Sequence, residues 1–235
     1  MIYRNFIQGI NAHFELHYKY SNILIGFSNP RMNREALYHR LLATLISLYE
    51  NLEYFISEHE TFETTLKPWA EKMTNELAAK MVKYTSVARV GPMASVAGVF
   101  ADELFEEIAQ YVDAVFIENG GDVALKNSKD SFVMAYPGTN AFQEKVILKL
   151  PPGRWGIASS SGKFGHSLSL GQSDLISVVA ENANRADSFA TAIANQVKPG
   201  CDPPELLTKY AELNAVLIIW NGQMWYRGKF ELSFC

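Results

Sequence analysis

At 235 residues the chain can form one large domain or two small ones, with length enough to bury a substantial core. Its 48% hydrophobic and 20% charged residues are those of an ordinary globular protein, and a net charge of −4 excludes the broad basic surface that nucleic-acid binding requires. No apolar run reaches the roughly 20 residues needed to cross a bilayer.

The opening Met1-Ile2-Tyr3-Arg4-Asn5 carries neither an apolar signal region nor an early cysteine for lipid attachment, so a cytoplasmic protein is expected. Cys201 and Cys235 form no ligand cluster and read as free thiols. The five histidines show no metal-ligand spacing.

Residues 1–28 alternate as β structure: Phe14, Leu16 and Tyr18 against Glu15, His17 and Lys19, then Ile23-Leu24-Ile25 after a Tyr20-Ser21-Asn22 turn. Residues 33–57 carry Leu37, Leu41, Leu45, Leu48 and Leu52 at helical steps, which makes a core-packing helix. Pro68 breaks the chain, and a second amphipathic helix is expected over 69–84. Gly91-Pro92 opens a third helix that runs to Glu107 or beyond, since proline suits the first helical position. Ala94, Gly98 and Ala101 then share one face, where another backbone or a flat ligand can come close.

Asp113–Ile117 reads as a buried strand running into an Asn119-Gly120-Gly121-Asp122 turn, followed by strands at Val123–Leu125, Phe132–Met134, Val146–Leu148, Trp155–Ala158 and Leu175–Val179. Helices are expected over 184–196 and 204–213. A C-terminal hairpin joins Val216–Trp220 to Met224–Leu232 through Asn221-Gly222, a strong hairpin signal. Strands and helices mix without a βαβ rhythm, so the expected class is α+β with mixed or antiparallel sheets and flanking helices.

Four segments could carry chemistry. The Gly91–Asp102 helix start offers free N–H groups and a dipole to an anion, or is simply a packing turn. The Glu118–Asp122 turn places two glycines, Asn119 and Asp122 at a strand end, where a ligand can approach the backbone; a plain tight turn is the alternative. Ala158-Ser159-Ser160-Ser161-Gly162 can donate N–H and O–H groups to a phosphate or a flavin edge, or forms a mobile polar loop. His166 follows, as a ligand contact or a surface imidazole. Asp187 and Thr191, four apart on a helix, can give two oxygen ligands to Mg²⁺; otherwise Asn184 caps that helix, Asp187 favours its positive end and Thr191 bonds back to a carbonyl. Neither a G-x-G-x-x-G fingerprint nor a G-x-S-x-G elbow occurs.

Taken together these segments resemble the ApbE-like superfamily, known for Mg²⁺-dependent FAD:protein FMN transferases. The resemblance covers roughly residues 88–196. It rests on Ala97-Gly98 with Asp102, Asn119-Gly120-Gly121-Asp122, Ser161-Gly162, His166 and Ala186-Asp187…Thr191. The stretches Val90–Gly98 and Glu118–Asp122 are nearer still to a small, uncharacterised cytoplasmic branch of that superfamily, as is Leu52-Glu53-Tyr54-Phe55-Ile56. The resemblance implies one ApbE-like domain over 1–235, with N-terminal strands and helices over 1–85 and the motifs over 86–235. It implies Mg²⁺ held by Asp187, Thr191 and a carbonyl near Ala94, and catalytic roles for Asp187 and His166. It also implies a flavin nucleotide, FAD or FMN, contacted by Gly98, Asn119, Gly120, Gly121, Asp122, Ser160, Ser161 and Gly162.

FMN transfer to a protein acceptor, or pyrophosphate cleavage, would follow. The alternatives are a cofactor-binding protein without catalysis and an enzyme acting on another phosphorylated metabolite. The oligomeric state stays open. The family's lysine before the helix-start glycine is Ala97 here, and its His-x-x-Asp-Pro-x-x-Gly segment is His166-Ser167-Leu168-Ser169-Leu170-Gly171, without the Asp-Pro. The known transferases are exported and often lipid-anchored, for which this chain shows no signal. The whole reading requires the tail of the 180s helix to close over the double-glycine corner and make a single cation-and-phosphate cavity.

Overall fold

The computed structural model describes residues 10–135, 137, 144–162 and 170–234. The strands are β1 (Ala12–Tyr18), β2 (Ser21–Ser28), β3 (Ala114–Asn119), β4 (Asp122–Asn127), β5 (Ser131–Ala135), β6 (Val146–Leu150), β7 (Gly153–Ser160), β8 (Leu175–Ala180), β9 (Ala215–Trp220), β10 (Gln223–Gly228) and β11 (Glu231–Phe234). The helices are α1 (Arg34–Glu58), α2 (Thr61–Thr64), α3 (Glu76–Ala88), α4 (Val96–Ala109), α5 (Ala183–Ala194) and α6 (Pro203–Lys209), with a 3-10 turn at Pro92–Ser95. One sheet of eight strands runs β1-β2-β3-β4-β7-β8-β9-β10, a second of three runs β11-β6-β5, and every pairing in both is antiparallel. The fold is α+β, as the sequence indicated.

The layers explain why the central strands read as unbroken apolar runs. In β3, Val115 and Ile117 pack with α1, α3 and α4, while Phe116 joins the core shared with the small sheet. In β9, Val216 and Ile218 lie in the core with α5 and α6, and Leu217 and Ile219 in that of the small sheet. A strand covered on both faces has no polar side to alternate with.

Several boundaries differ from those expected. The helix sought over 69–84 begins at Glu76, because the Asn75 side chain accepts the Ala78 N–H at 2.9 Å and fixes the start there. The helix opening at Pro92 is two pieces. The hydroxyl of Ser95 donates to the carbonyls of Met81 and Pro92 at 3.3 and 3.2 Å, and Ser95 leaves helical geometry at φ −132°, ψ 9° before α4 begins. The last strand also divides. β10 completes the large sheet and β11 pairs with β6 in the small one. The corner is latched by Tyr226, whose hydroxyl donates to Phe230 O at 2.9 Å and accepts Phe230 N–H at 3.2 Å.

The crossing of α4 and α5 positions everything that follows. A Cβ on Gly98 would lie 2.5 Å from the Ala183 carbonyl oxygen and 2.9 Å from Asp187 Cβ. Of the row Ala94, Gly98, Ala101, it is thus Gly98 that admits another backbone, the first turn of α5. Because the obstruction is mostly main chain, it cannot swing aside. Gly98→Ala should lower the unfolding free energy by about 3 kcal/mol, the upper end of ordinary overpacking costs. Denaturant titration of the variant tests this, and a loss under about 1 kcal/mol would mean that the crossing is loose.

Candidate functional site

Each of the two crossing helices caps the other. From α4, the Asp102 carboxylate accepts the N–H groups of Ala183 and Asn184 at 3.0 and 2.8 Å, at the start of α5. From α5, Asp187 Oδ2 accepts the Gly98 N–H at 3.0 Å, in the first turn of α4. Carboxylates are favoured at both points, where N–H groups lack intrahelical partners and the helix dipole is positive. The anion expected at the α4 start is therefore the chain's own Asp187, which takes the Gly98 N–H. Within α5 the side-chain cap is Asn182, whose oxygen accepts Arg185 N–H at 2.8 Å. Asn184, expected in that role, lies two residues beyond the cap in the first turn and donates to Lys80 O at 2.7 Å.

The β3–β4 turn closes on this crossing. Gly120 and Gly121 form its corner at φ +66° and +110°, a conformation that side-chain-bearing residues rarely adopt. The corner is braced by Glu118, which accepts Gly121 N–H at 2.9 Å. Asn119 donates its side-chain N–H to Ala97 O at 3.2 Å and so pins the strand end to the start of α4. Asp122, on the returning strand, accepts Ser159 N–H and shares a hydrogen bond with Asp187. Pieces some 65 residues apart in sequence thus meet carboxyl to carboxyl, where the first half of α5 passes the double-glycine corner.

The electrostatics of this junction are strained. Asp122 is 6% exposed, while Asp187 keeps part of its surface open. Burial first, then the charge of Asp187, raises Asp122 well above the usual carboxylate range. Burial pushes Asp187 up to about 7, against the pull of the Gly98 N–H and of the bond from Asp122. Asp102 is raised to about 6, again by burial, although its two backbone bonds and Arg154 at 3.8 Å pull it down. Near neutrality the Asp122–Asp187 pair is best described as sharing a proton, with Asp122 the donor.

The other expected site residues are placed as follows. Thr191 lies one turn beyond Asp187 on the same side of α5 and is 8% exposed. Ala94 sits in the 3-10 turn, which packs against α5. Ser160 ends β7 with its hydroxyl buried and without a hydrogen-bond partner among the described residues. Its register places it beside the glycine corner, on the Ala158 face that packs under α5. Ser161 and Gly162 follow, and Gly162 N–H donates to Ser173 O at 3.0 Å. His166 lies outside the described residues. Two grooves of about 450 Å³ lie away from the junction, one against Phe14 and Tyr38 and one between α3, α5 and α6.

Sequence reasoning treated Asp122 as one polar group at a turn and did not foresee its pairing with Asp187. It also missed the bracing by Glu118. The signal was present: two acids flank a double glycine in Glu118-Asn119-Gly120-Gly121-Asp122, and a two-residue turn folds them back on one another.

The fold is that of ApbE proteins. The flavinyl transferase ApbE of Pseudomonas stutzeri, in its apo form, matches with a TM-score of 0.66 at 13% identity, covering 96% of each chain. The ApbE protein of Thermotoga maritima gives 0.57 at 14% identity, over 94% of this chain and 97% of that one. At such identities the likeness establishes the fold alone. Sequence carries the relationship further: the family model described as "AbpE bacteria" matches residues 4–219, and the chain belongs to that family. Similar proteins include the UPF0280 protein of Methanosphaerula palustris, 34% identical over 195 residues, covering 81% of this chain and 79% of the relative. Another is a UPF0280 protein of Methanococcus maripaludis, 36% identical over 186 residues, covering 75% and 72%. No helix among the described residues is long and apolar enough to cross a membrane.

The pair's raised affinity for protons has a definite consequence for stability. A carboxyl whose pKa is higher folded than unfolded favours the fold most at low pH, and that contribution is lost as pH rises from about 4 through its folded value. Asn at position 122 can still donate to Asp187 but cannot ionise. Asp122→Asn should therefore match the parent near pH 5 and exceed it at pH 8, by about 1 kcal/mol or more. Guanidinium melts at the two pH values test this, and an advantage independent of pH would refute the shared proton.

Proposed function

We propose that the junction of β4, α4 and α5 binds Mg²⁺ and, with it, a flavin nucleotide or a similar phosphate-bearing cofactor, as a site for FMN transfer or pyrophosphate cleavage. The observation that carries this reading is the Asp122–Asp187 contact: two carboxyl groups driven together beside a turn that leaves its backbone open. Like charges held so close favour either a proton or a cation between them. Among the described residues no group of three His, Cys, Asp or Glu side chains forms a metal cage. The donors on offer are instead carboxylate, hydroxyl and carbonyl oxygens, a set that suits Mg²⁺ with water and phosphate completing its shell.

Asp187, with Thr191 on the same helix face and the Ala94 carbonyl on the adjoining turn, would hold the ion. Mg²⁺ bound there supplies Lewis-acid polarisation of a phosphate linkage. The chain's own groups do the rest. Gly120 and Gly121 let a ligand approach the main chain without side-chain obstruction. The buried Ser160 hydroxyl, lacking a partner among the described residues, is free to donate to a phosphate oxygen. Asn119 fixes the distance between turn and α4 through Ala97 O. Asp122 would take and return a proton as Asp187 ionises. A catalytic part for His166 rests on the family resemblance alone. The acceptor is a protein hydroxyl or water, and a cytoplasmic location agrees with this reading.

A second reading, a cofactor-binding protein without transfer chemistry, is favoured by Ala97. The family's lysine there would put positive charge against a pyrophosphate, and alanine does not.

Binding of Mg²⁺ must displace the shared proton, so affinity should rise with pH. Thermal unfolding in 5 mM Mg²⁺, on the order of millimolar Kd for such sites, should show a clear rise in Tm at pH 8, and little at pH 5.5. Asp187→Asn should abolish the rise at both. FAD should add to the shift only when Mg²⁺ is present, and mass spectrometry after incubation should detect released AMP. An FAD shift that is equal in EDTA, with no AMP, would support the second reading. Absence of any Mg²⁺ or FAD response would overturn both.

A further inference from the structure

We propose that the groove between α3, α5 and α6 is a second ligand site, for a small molecule with an apolar aromatic body and a single carboxylate. The groove has a volume of about 450 Å³, within the range of small-molecule sites. It lies on the far side of α5 from the metal-binding reading. Phe189 and Ala192 of α5 line it, and at 100° per residue they sit roughly opposite Asp187. The two sites are therefore independent.

The floor is apolar and aromatic. Val90 and Ala192 bound it, and the rings of Phe189 and Tyr210 meet edge to face with centroids 5.8 Å apart. One wall is held rigid. The Gln196 amide donates to Tyr210 Oη at 2.5 Å and to Ala192 O at 2.8 Å, and Lys209 Nζ donates to Gln196 Oε1 at 2.6 Å. A wall so braced is ready for a ligand without reordering.

Charge selects the ligand class. Lys209 is bonded to a neutral amide, so its charge is not cancelled by that partner. Arg89 is exposed, and among the described residues its side chain has no hydrogen-bond or ion-pair partner. Arg89 also ends α3 in the left-handed region, at φ +61°, ψ +41°. Glycine is the usual residue there, so arginine carries a backbone cost at this position. Glu212 on the rim is the one acid lining the groove. Two bases and one acid leave a net charge of +1, which matches a monoanion better than a pyrophosphate.

The probe pair is 1-naphthoate and its neutral counterpart 1-naphthylmethanol, competed against 8-anilinonaphthalene-1-sulfonate bound to the full chain. Naphthoate should displace the dye at about fivefold lower concentration than the alcohol, as expected for one partly solvated ion pair. Arg89→Gly should bring the two within twofold while raising Tm, because it removes the cation and relaxes the backbone together. Asp187→Asn should leave the titration unchanged. The proposal is overturned by the absence of a saturable dye site, by equal displacement in the parent, by an unaltered ratio in Arg89→Gly, or by loss of binding in Asp187→Asn. None of these outcomes bears on Mg²⁺ binding, so the two readings stand or fall separately.

Discussion

The reciprocal capping of α4 and α5 is the constraint on which the rest of the structure depends. Each helix presents an acid to the other's first turn: Asp102 to Ala183 and Asn184, Asp187 to Gly98. Four conditions must hold for this to work. The helices must cross at their starts, a glycine must stand at the crossing, and both acids must be at the right turn. Given these, α5 is fixed over the sheet where β4 begins and β7 ends, and the β3–β4 corner has one place to go. The site is thus a product of helix-end chemistry rather than of a prebuilt cavity.

That chemistry makes the junction both ordered and electrostatically costly. Backbone N–H groups satisfy part of each carboxylate, yet Asp102, Asp122 and Asp187 all bind protons more readily than they would in water. A merely structural crossing would do better with asparagine or serine, which cap without desolvating a charge. Three acids with raised proton affinity, one of them buried, make sense where a cation or a proton transfer is to be served, and strain of this kind is commonly found where function opposes stability.

Much of the fold could be read from the sequence because it rests on local signals. Leu37 to Leu52 announced α1, Asn221-Gly222 the β9–β10 hairpin, and the apolar run before Gly120 a strand buried on both faces. What escaped were decisions made by single polar side chains. Asn75 set the start of α3, Ser95 divided the helix after Pro92, and Tyr226 turned the last strand from one sheet to the other. Asparagine and serine hydrogen-bond the backbone in several conformations, so their choice depends on neighbours that a sequence does not display. The site was half readable for the same reason. The motif residues could be listed in order, but the Asp122–Asp187 contact depends on how α5 lies against the start of β4.

The alanine at position 97 then acquires a physical meaning beyond its departure from the family pattern. Its carbonyl is occupied by Asn119, so the main chain here is committed to holding the turn. Its side chain brings no charge. Among the described residues, Arg154 is paired with Asp102 at 3.8 Å and with Glu106 at 2.5 Å, while no ion pair reaches Asp122 or Asp187. Among the described residues, the charged groups nearest an incoming anion here are therefore carboxylates. On the proposed reading, charge balance would come from solution, as a proton at lower pH and as a metal ion at higher pH. A phosphate-bearing ligand would then be admitted only after the cation, whereas a chain with the family's lysine could hold the phosphate first. Loss of one side-chain charge would thus make nucleotide binding conditional on metal, without disturbing the crossing that builds the site.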